Sequence, residues 1–170
     1  QPGKSYLETG FNIRIFYMQG NDLWKSGCLL LEKGLESISP SITVEVVEMG
    51  SSYYSAAFQG RLSLFFSAWQ ADYPDPDDFA VPLLHSEGTF SSTSGINNAT
   101  LDAMIEEASS ELDQNARNIM YSNISRACQE NAYFIWTKQS TQFHVDRSWV
   151  TGYYYNPMYS GLYYYALGKG

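Results

Sequence analysis

Cysteine and histidine are scarce in this chain. Its 170 residues hold two of each: Cys28 and Cys128, His85 and His144. Two cysteines are too few for a disulfide scaffold or a zinc cage. Both fall on apolar faces of expected helices, where a thiol packs as a small hydrophobe. A bond between them requires those helices to touch, which the sequence leaves open, and with it the redox compartment. No Gly-x-Ser-x-Gly elbow, phosphate loop or dinucleotide fingerprint accompanies the histidines, so solvated or structural roles are expected of both. Basic residues are also few. Ten Lys and Arg against eighteen Asp and Glu leave a formal net charge of −8 and a pI of about 4.6, with no basic cluster. That balance excludes nucleic acid and anionic membrane surfaces as partners. No apolar run approaches the roughly 20 residues of a membrane span. Gln1-Pro2-Gly3 lacks the basic start and apolar run of a signal peptide, so the chain is expected to be a mature protein or an excised part of one. Internal repeats and a dividing linker are missing too.

What is present is a core. Hydrophobic residues make up 44% and charged residues 16%, the composition of one globular domain. Aromatic residues reach 16%, which suits amphipathic ligands, an extensive interface or an aromatic core. Phe11, Ile13, Ile15 and Tyr17 alternate with Asn12 and Arg14 at strand period. Asn21 and Asp22 can then cap a helix from about Leu23 to about Ser37, with Trp24, Cys28, Leu31, Leu35 and Ile38 on its apolar face. Ile42, Val44 and Val46 form a second strand. A strand, helix, strand order implies a parallel pair. A short helix is expected over Ser52 to Gln59. Leu62 to Phe66, apolar throughout apart from Ser63, reads as a third and central strand.

Further on, a helix is expected from Asp77 or Asp78 to Leu84, and residues 85–97 read as a surface loop. Asn98 can cap a helix with the stripe Leu101, Met104, Ile105, Ala108 and Leu112. Asp113 begins another, with Ala116, Ile119, Met120, Ile124, Ala127 and Cys128; the two form an antiparallel pair. Tyr133 to Val145 returns to strand period, and a tyrosine-rich tail runs from Tyr153 to Tyr165.

Trp69-Gln70-Ala71-Asp72-Tyr73-Pro74-Asp75-Pro76 stands out from this frame. Two prolines within three residues forbid regular structure, because each removes a donor and restricts its predecessor. A stiff, aromatic and acidic loop therefore leaves the end of a core strand, the place where open α/β sheets bind ligands. Asp72, Asp75, Asp77 and Asp78 are dense enough for a calcium loop. Counted from Asp72, however, Asp77 occupies the sixth position, which needs glycine, and Leu83 the twelfth, which needs glutamate. Asp72 and Asp75 also fit the paired carboxylates of a glycoside hydrolase, although nothing in the sequence sets their separation. Asn98-Ala99-Thr100 and Asn123-Ile124-Ser125 match the glycosylation tripeptide, which is too frequent to carry weight.

The loop, with Phe79 after it, resembles the signature of bacterial extracellular solute-binding proteins of the oligopeptide and dipeptide family (family 5). The strand, helix and strand from Phe11 to Val47 resemble that family's second lobe. Tyr53, Gly60, Leu101-Asp102, Ile105, Arg117, Tyr121, Gly152-Tyr153 and Asn156-Pro157 match it more weakly. The resemblance implies an α/β fold, one lobe of the periplasmic-binding-protein type II fold, with a mainly parallel sheet flanked by helices and a C-terminal helical pair. It implies that residues 1–170 form the C-terminal lobe of a two-lobed protein, and that the tail from residue 150 returns toward a first lobe lying before Gln1.

The implied function is capture of a peptide, or another small solute, outside the cytoplasm (in the periplasm, or at the cell surface as a lipoprotein). The ligand is then handed to an ABC permease, with no enzymatic step, cofactor or metal. By resemblance the ligand-binding residues are Trp69, Gln70, Ala71, Asp72, Tyr73, Gln19 and Tyr53. Asp72 stands where the family places a carboxylate for the ligand's α-ammonium, and Trp69 offers an apolar wall. Backbone groups around Ala68, Gln70 and Ala71 can pair with an extended peptide. The Met18-Gln19-Gly20-Asn21 loop lacks the arginine with which dipeptide-specific members clamp the ligand carboxylate, which turns the expectation toward longer peptides or other solutes. Ala132-Tyr133 replaces the family's alanine-proline in a turn. An oligosaccharide binder of the same fold is the first alternative, and a glycoside hydrolase fragment the second. The tail is expected to pack on this lobe or on a second copy, because apolar patches of its size rarely stay bare.

Overall fold

The computed structural model describes residues 3–139, 141, 143–156, 158, 159 and 161–170, with Ser92 described by its backbone alone. Gln1, Pro2 and Pro157, which entered the sequence reading, lie outside the described residues.

A one-turn helix α1 (Tyr6–Thr9) leads into β1 (Phe11–Met18), α2 (Asp22–Glu36) and β2 (Ile42–Met49). Asn21 caps α2, its side-chain oxygen accepting from the Trp24 amide at 3.0 Å. β1 and β2 pair in parallel over their full lengths, from Phe11 opposite Ile42 to Met18 opposite Met49. Helix α3 (Tyr53–Phe58) and strand β3 (Leu64–Phe65) follow. The sheet order is β2-β1-β3, and β3 is parallel to β1. The central strand is therefore β1, not the Leu62–Phe66 run, which contributes two residues at an edge. Its apolar sequence reflects burial by side-chain packing: Leu64 and Phe66 cover the cluster of Ile15, Tyr17, Cys28, Ile42 and Val44. The ring of Phe66 lies where a Cβ on Gly27 of α2 would be, so helix and strand approach closely there.

The rest is helical: α4 (Asp77–Leu84), α5 (Ser91–Ser94), α6 (Ala99–Ser110) and α7 (Gln114–Glu130). Asn98 caps α6 and Asp113 caps α7 through their side-chain oxygens. A second core joins α4, α6 and α7 through Ala80, Leu84, Leu101, Ile105, Ala108, Tyr121, Ile124 and Cys128. Cys28 and Cys128 thus sit in different cores, both as free thiols.

Several expected core positions face solvent instead. Ile38 lies past the end of α2, and Leu112, 96% exposed, lies in the α6–α7 connection. Ile119 precedes Met120 by one position, about 100° around the helix, and so turns away from the core. Residues 85–97 are more structured than a surface loop. Ser91 is buried, its hydroxyl donating to the carbonyls of His85 and Gly88, and the Phe90 amide donates to the Pro82 carbonyl at 2.8 Å. Gly88 passes so close to the Val81 carbonyl that a Cβ would collide with it. Ser86 ties the segment to α6, donating to Asp102 from its amide at 2.8 Å and its hydroxyl at 2.6 Å.

The strand expected from Tyr133 to Val145 does not form over its described residues, among which no partner strand lies alongside; Ser140 and Gln142 are outside them. The tail has one short antiparallel pair, β4 (Val150–Thr151) with β5 (Gly168–Lys169). Only part of it meets this lobe: Met158 lines a hollow shared with Tyr121, Ile124 and Trp136, whereas Tyr154, Tyr155, Tyr159, Tyr163 and Tyr164 are exposed and Tyr165 is 90% exposed. Their ring contacts are with one another, Tyr163 meeting both Tyr154 and Tyr165 at 6.0 Å.

Candidate functional site

Parallel strands point their carboxyl ends the same way. The segments leaving β1 and β3 therefore emerge together at one edge of the sheet. From β1 comes Gln19, exposed, its amide donating to the Met49 carbonyl at 2.7 Å. From β3 come Trp69 to Tyr73. Between the two strand ends lies Tyr53, 1% exposed. Its hydroxyl donates to the carbonyl of Phe66 and, at 3.5 Å, to that of Phe16. Burial, then neighbouring Tyr54, pushes its pKa up. Tyr53 thus stands beneath the site as a tie between strand ends, while Gln19 and the loop face outward.

In the loop, Trp69 sets its indole edge-on to Phe90 at 5.6 Å, and Phe90 in turn meets Phe58 at 5.6 Å. The indole nitrogen of Trp69 is buried without a hydrogen-bond partner among the described residues. Ala71 is buried and Tyr73 half-exposed. The backbone groups of Ala68 and Ala71 make no hydrogen bond among the described residues. Phe90 was missed by sequence reasoning; the available signal was a large aromatic alone in a Ser, Thr and Gly-rich stretch.

The carboxylates of the loop divide sharply. Asp75 takes a two-pronged ion pair from Arg117, at 2.7 and 2.8 Å, and accepts from the Asp77 amide at 2.8 Å. The Arg117 hydrogen bond is the main reason its carboxyl lies below the usual range. Asp77 accepts from the hydroxyls of Tyr73 at 3.1 Å and Tyr121 at 3.3 Å. Asp78, buried in the first turn of α4, accepts the Asp72 amide at 2.5 Å. The Asp72 carboxylate is exposed and has no hydrogen-bond or ion-pair partner among the described residues.

Arg117 completes the clamp. Its Nε donates to the Ala108 carbonyl near the end of α6 at 3.2 Å, and its guanidinium lies 4.9 Å from the centre of the Tyr121 ring. Burial first, and Asp77 next, push the Tyr121 hydroxyl up to about 12. Behind the loop lies an apolar hollow of about 660 Å³, bounded by Tyr73, Phe79, Leu83, Ile124 and Trp136.

This arrangement can offer one open anion beside an aromatic wall and unpaired backbone. Asp75, ion-paired to Arg117 and held ionised, is a poor proton donor. Among the described residues no group of three or more His, Cys, Asp or Glu is placed to hold a metal.

Comparison with solved structures identifies the fold. OppA of Burkholderia pseudomallei superimposes with a TM-score of 0.73 at 19% identity, over 88% of this chain and 28% of that one. The fold is that of the periplasmic peptide-binding proteins. DppA of Helicobacter pylori, an ABC transporter-associated periplasmic binding protein solved with the peptide STSA, gives a TM-score of 0.65 at 21% identity, over 74% of this chain and 25% of that one. In sequence, the probable di/tripeptide-binding protein 5 of Pseudomonas aeruginosa is 29% identical over 136 residues, 77% of this chain. The resemblance to the family 5 solute-binding proteins therefore holds, in a periplasmic-binding-protein type II fold. No protein-family model matches the chain. The chain spans about 25% of the length of the curated relative it matches. Two of these relatives, the Helicobacter and the Pseudomonas proteins, are binding proteins by name.

Proposed function

We propose that this chain is the C-terminal lobe of a two-lobed, extracytoplasmic solute-binding protein that captures peptides and delivers them to an ABC permease. The site is the carboxyl edge of the sheet. Asp72 receives the ligand's α-ammonium, Trp69 walls one side, and the backbone around Ala68, Gln70 and Ala71 pairs with the extended peptide. Gln19 faces the same edge from β1, Tyr73 flanks Asp72, and Tyr53 supports the strand ends from below. No chemical step is assigned to any residue.

One observation carries this reading: Asp72 keeps an open, exposed carboxylate while Asp75, Asp77 and Asp78 are engaged within the lobe. In a closed, water-poor cleft such a carboxylate makes a strong and directional bond to an ammonium group. Backbone pairing ignores side-chain identity, so it supports a broad range of peptides.

Purification of the full-length protein without denaturation, followed by mass spectrometry of what it carries, tests the proposal. Peptides held by the wild type and lost from Asp72→Ala are the expected result. Sugars carried equally by both would overturn the peptide assignment and move the function to carbohydrate uptake.

A further inference from the structure

We propose that Arg117 is a positioning residue for ligand capture: by gripping Asp75 it fixes the loop so that Asp72 presents its carboxylate to the ligand's ammonium. The inference rests on the peptide-binding reading above.

Arg117 belongs to α7, well away in sequence from the loop, yet it touches several parts of the site's frame. It binds both oxygens of Asp75, reaches the Ala108 carbonyl of α6, and contacts the hydroxyl of Tyr121 at 3.3 Å. Tyr121 passes the connection to Asp77, and Asp77 receives Tyr73, the residue after Asp72. From the other side, Asp78 holds the Asp72 amide. The Asp72 backbone is therefore pinned by its own amide and through its neighbour, while its side chain stays open.

Charge requires this too. Asp72, Asp75, Asp77 and Asp78 lie within seven positions, and their mutual repulsion favours opening the loop. Arg117 is the cation paired with them among the described residues, and its guanidinium matches the planar carboxylate of Asp75 in a way that a point charge would not. Without that pair, Asp75 becomes a rival anion beside Asp72 and the loop loses the tether that Arg117 makes to α6 and α7, keeping only the Tyr121–Asp77 contact.

The test uses the full-length protein, a pooled library of tri- to pentapeptides with free amino termini, and the same library N-acetylated. Captured peptides are quantified by mass spectrometry. Wild type is expected to favour the free-amine library roughly tenfold to a hundredfold, the worth of one charge-assisted hydrogen bond. Arg117→Met and Asp75→Asn are expected to lower free-amine capture toward the acetylated level while changing acetylated capture little, so the preference collapses. A merely structural Arg117 would lower both libraries alike.

Folded variants, checked by circular dichroism, that keep the wild-type preference overturn the role of Arg117 and leave the Asp72 anchor standing. A wild type without any preference overturns the anchor, and the positioning role with it. Asp75→Asn preserves size and shape, so it decides the matter if Arg117→Met fails to fold.

Discussion

Arg117 and Asp75 lie 42 positions apart in sequence and meet through both terminal guanidinium nitrogens, at 2.7 and 2.8 Å. The pair is mostly withdrawn from water, with the Arg117 side chain 12% exposed and that of Asp75 32% exposed. Removing one partner strands the other beside unmet hydrogen bonds. Asp75→Asn is expected to destabilise the fold by about 1–3 kcal/mol, read from urea unfolding.

The same pair sets a pH dependence. The Asp75 carboxyl is held below its ordinary range, first by the Arg117 hydrogen bond. Burial opposes ionisation of Asp102, but the Ser86 hydroxyl and amide outweigh it and hold that group low as well. A depressed carboxylate contributes fully above the unfolded-state value of about 4, and the contribution is lost as pH falls through the folded value. The gap in urea midpoint between wild type and Asp75→Asn should therefore be complete near neutrality and close in acid.

Asp72 and Asp78 should behave oppositely despite their proximity. Asp72→Asn removes an exposed, unpartnered charge and is expected to change stability by less than about 0.5 kcal/mol. Asp78→Ala leaves the Asp72 amide without its acceptor in a part-buried setting and is expected to cost about 1–3 kcal/mol. Thermal unfolding of both variants compares them directly.

Cys28 and Cys128 should be silent to thiol reagents in the native protein. Burial raises both to about 11, and neither is accessible. Ellman's reagent at pH 8 is expected to report no thiol until denaturant is added, and then two. Native reactivity at either position would mean that its core opens.

Tyrosine modification should separate frame from tail. Tyr164 and Tyr165 lie open to solvent, whereas Tyr53 and Tyr121 are buried with raised pKa values. Limited nitration followed by peptide mapping is expected to label the tail first and to spare Tyr53 and Tyr121.

Much of this architecture is legible in local pattern. Alternation marks β1 and β2, and Asn21, Asn98 and Asp113 cap the helices they precede. A cap needs only a side-chain oxygen within three residues of a free amide, so the sequence carries it whole. The Leu62–Phe66 run misleads because continuous apolarity records covered faces and not paired edges; Leu64 and Phe66 are covered by packing on a neighbouring cluster. Residues 85–97 mislead because their order comes from Ser91, Gly88 and Ser86 meeting carbonyls and a carboxylate outside their immediate neighbours.

The acidic loop shows the boundary best. By itself the sequence determined that a stiff, proline-braced segment leaves a strand end carrying Asp72, Asp75, Asp77 and Asp78 beside Trp69, because proline restricts the chain locally. Local pattern could not rank those carboxylates, since all have the same chemistry and neighbouring positions; Asp72 was singled out only by the family resemblance. The tertiary structure supplied the physical distinction, by bringing Arg117 and Tyr121 from α7 against the loop and setting Asp78 under the Asp72 amide. Which side chain stays open to a ligand is decided by contacts across distant positions, and those exist only once the helices have packed.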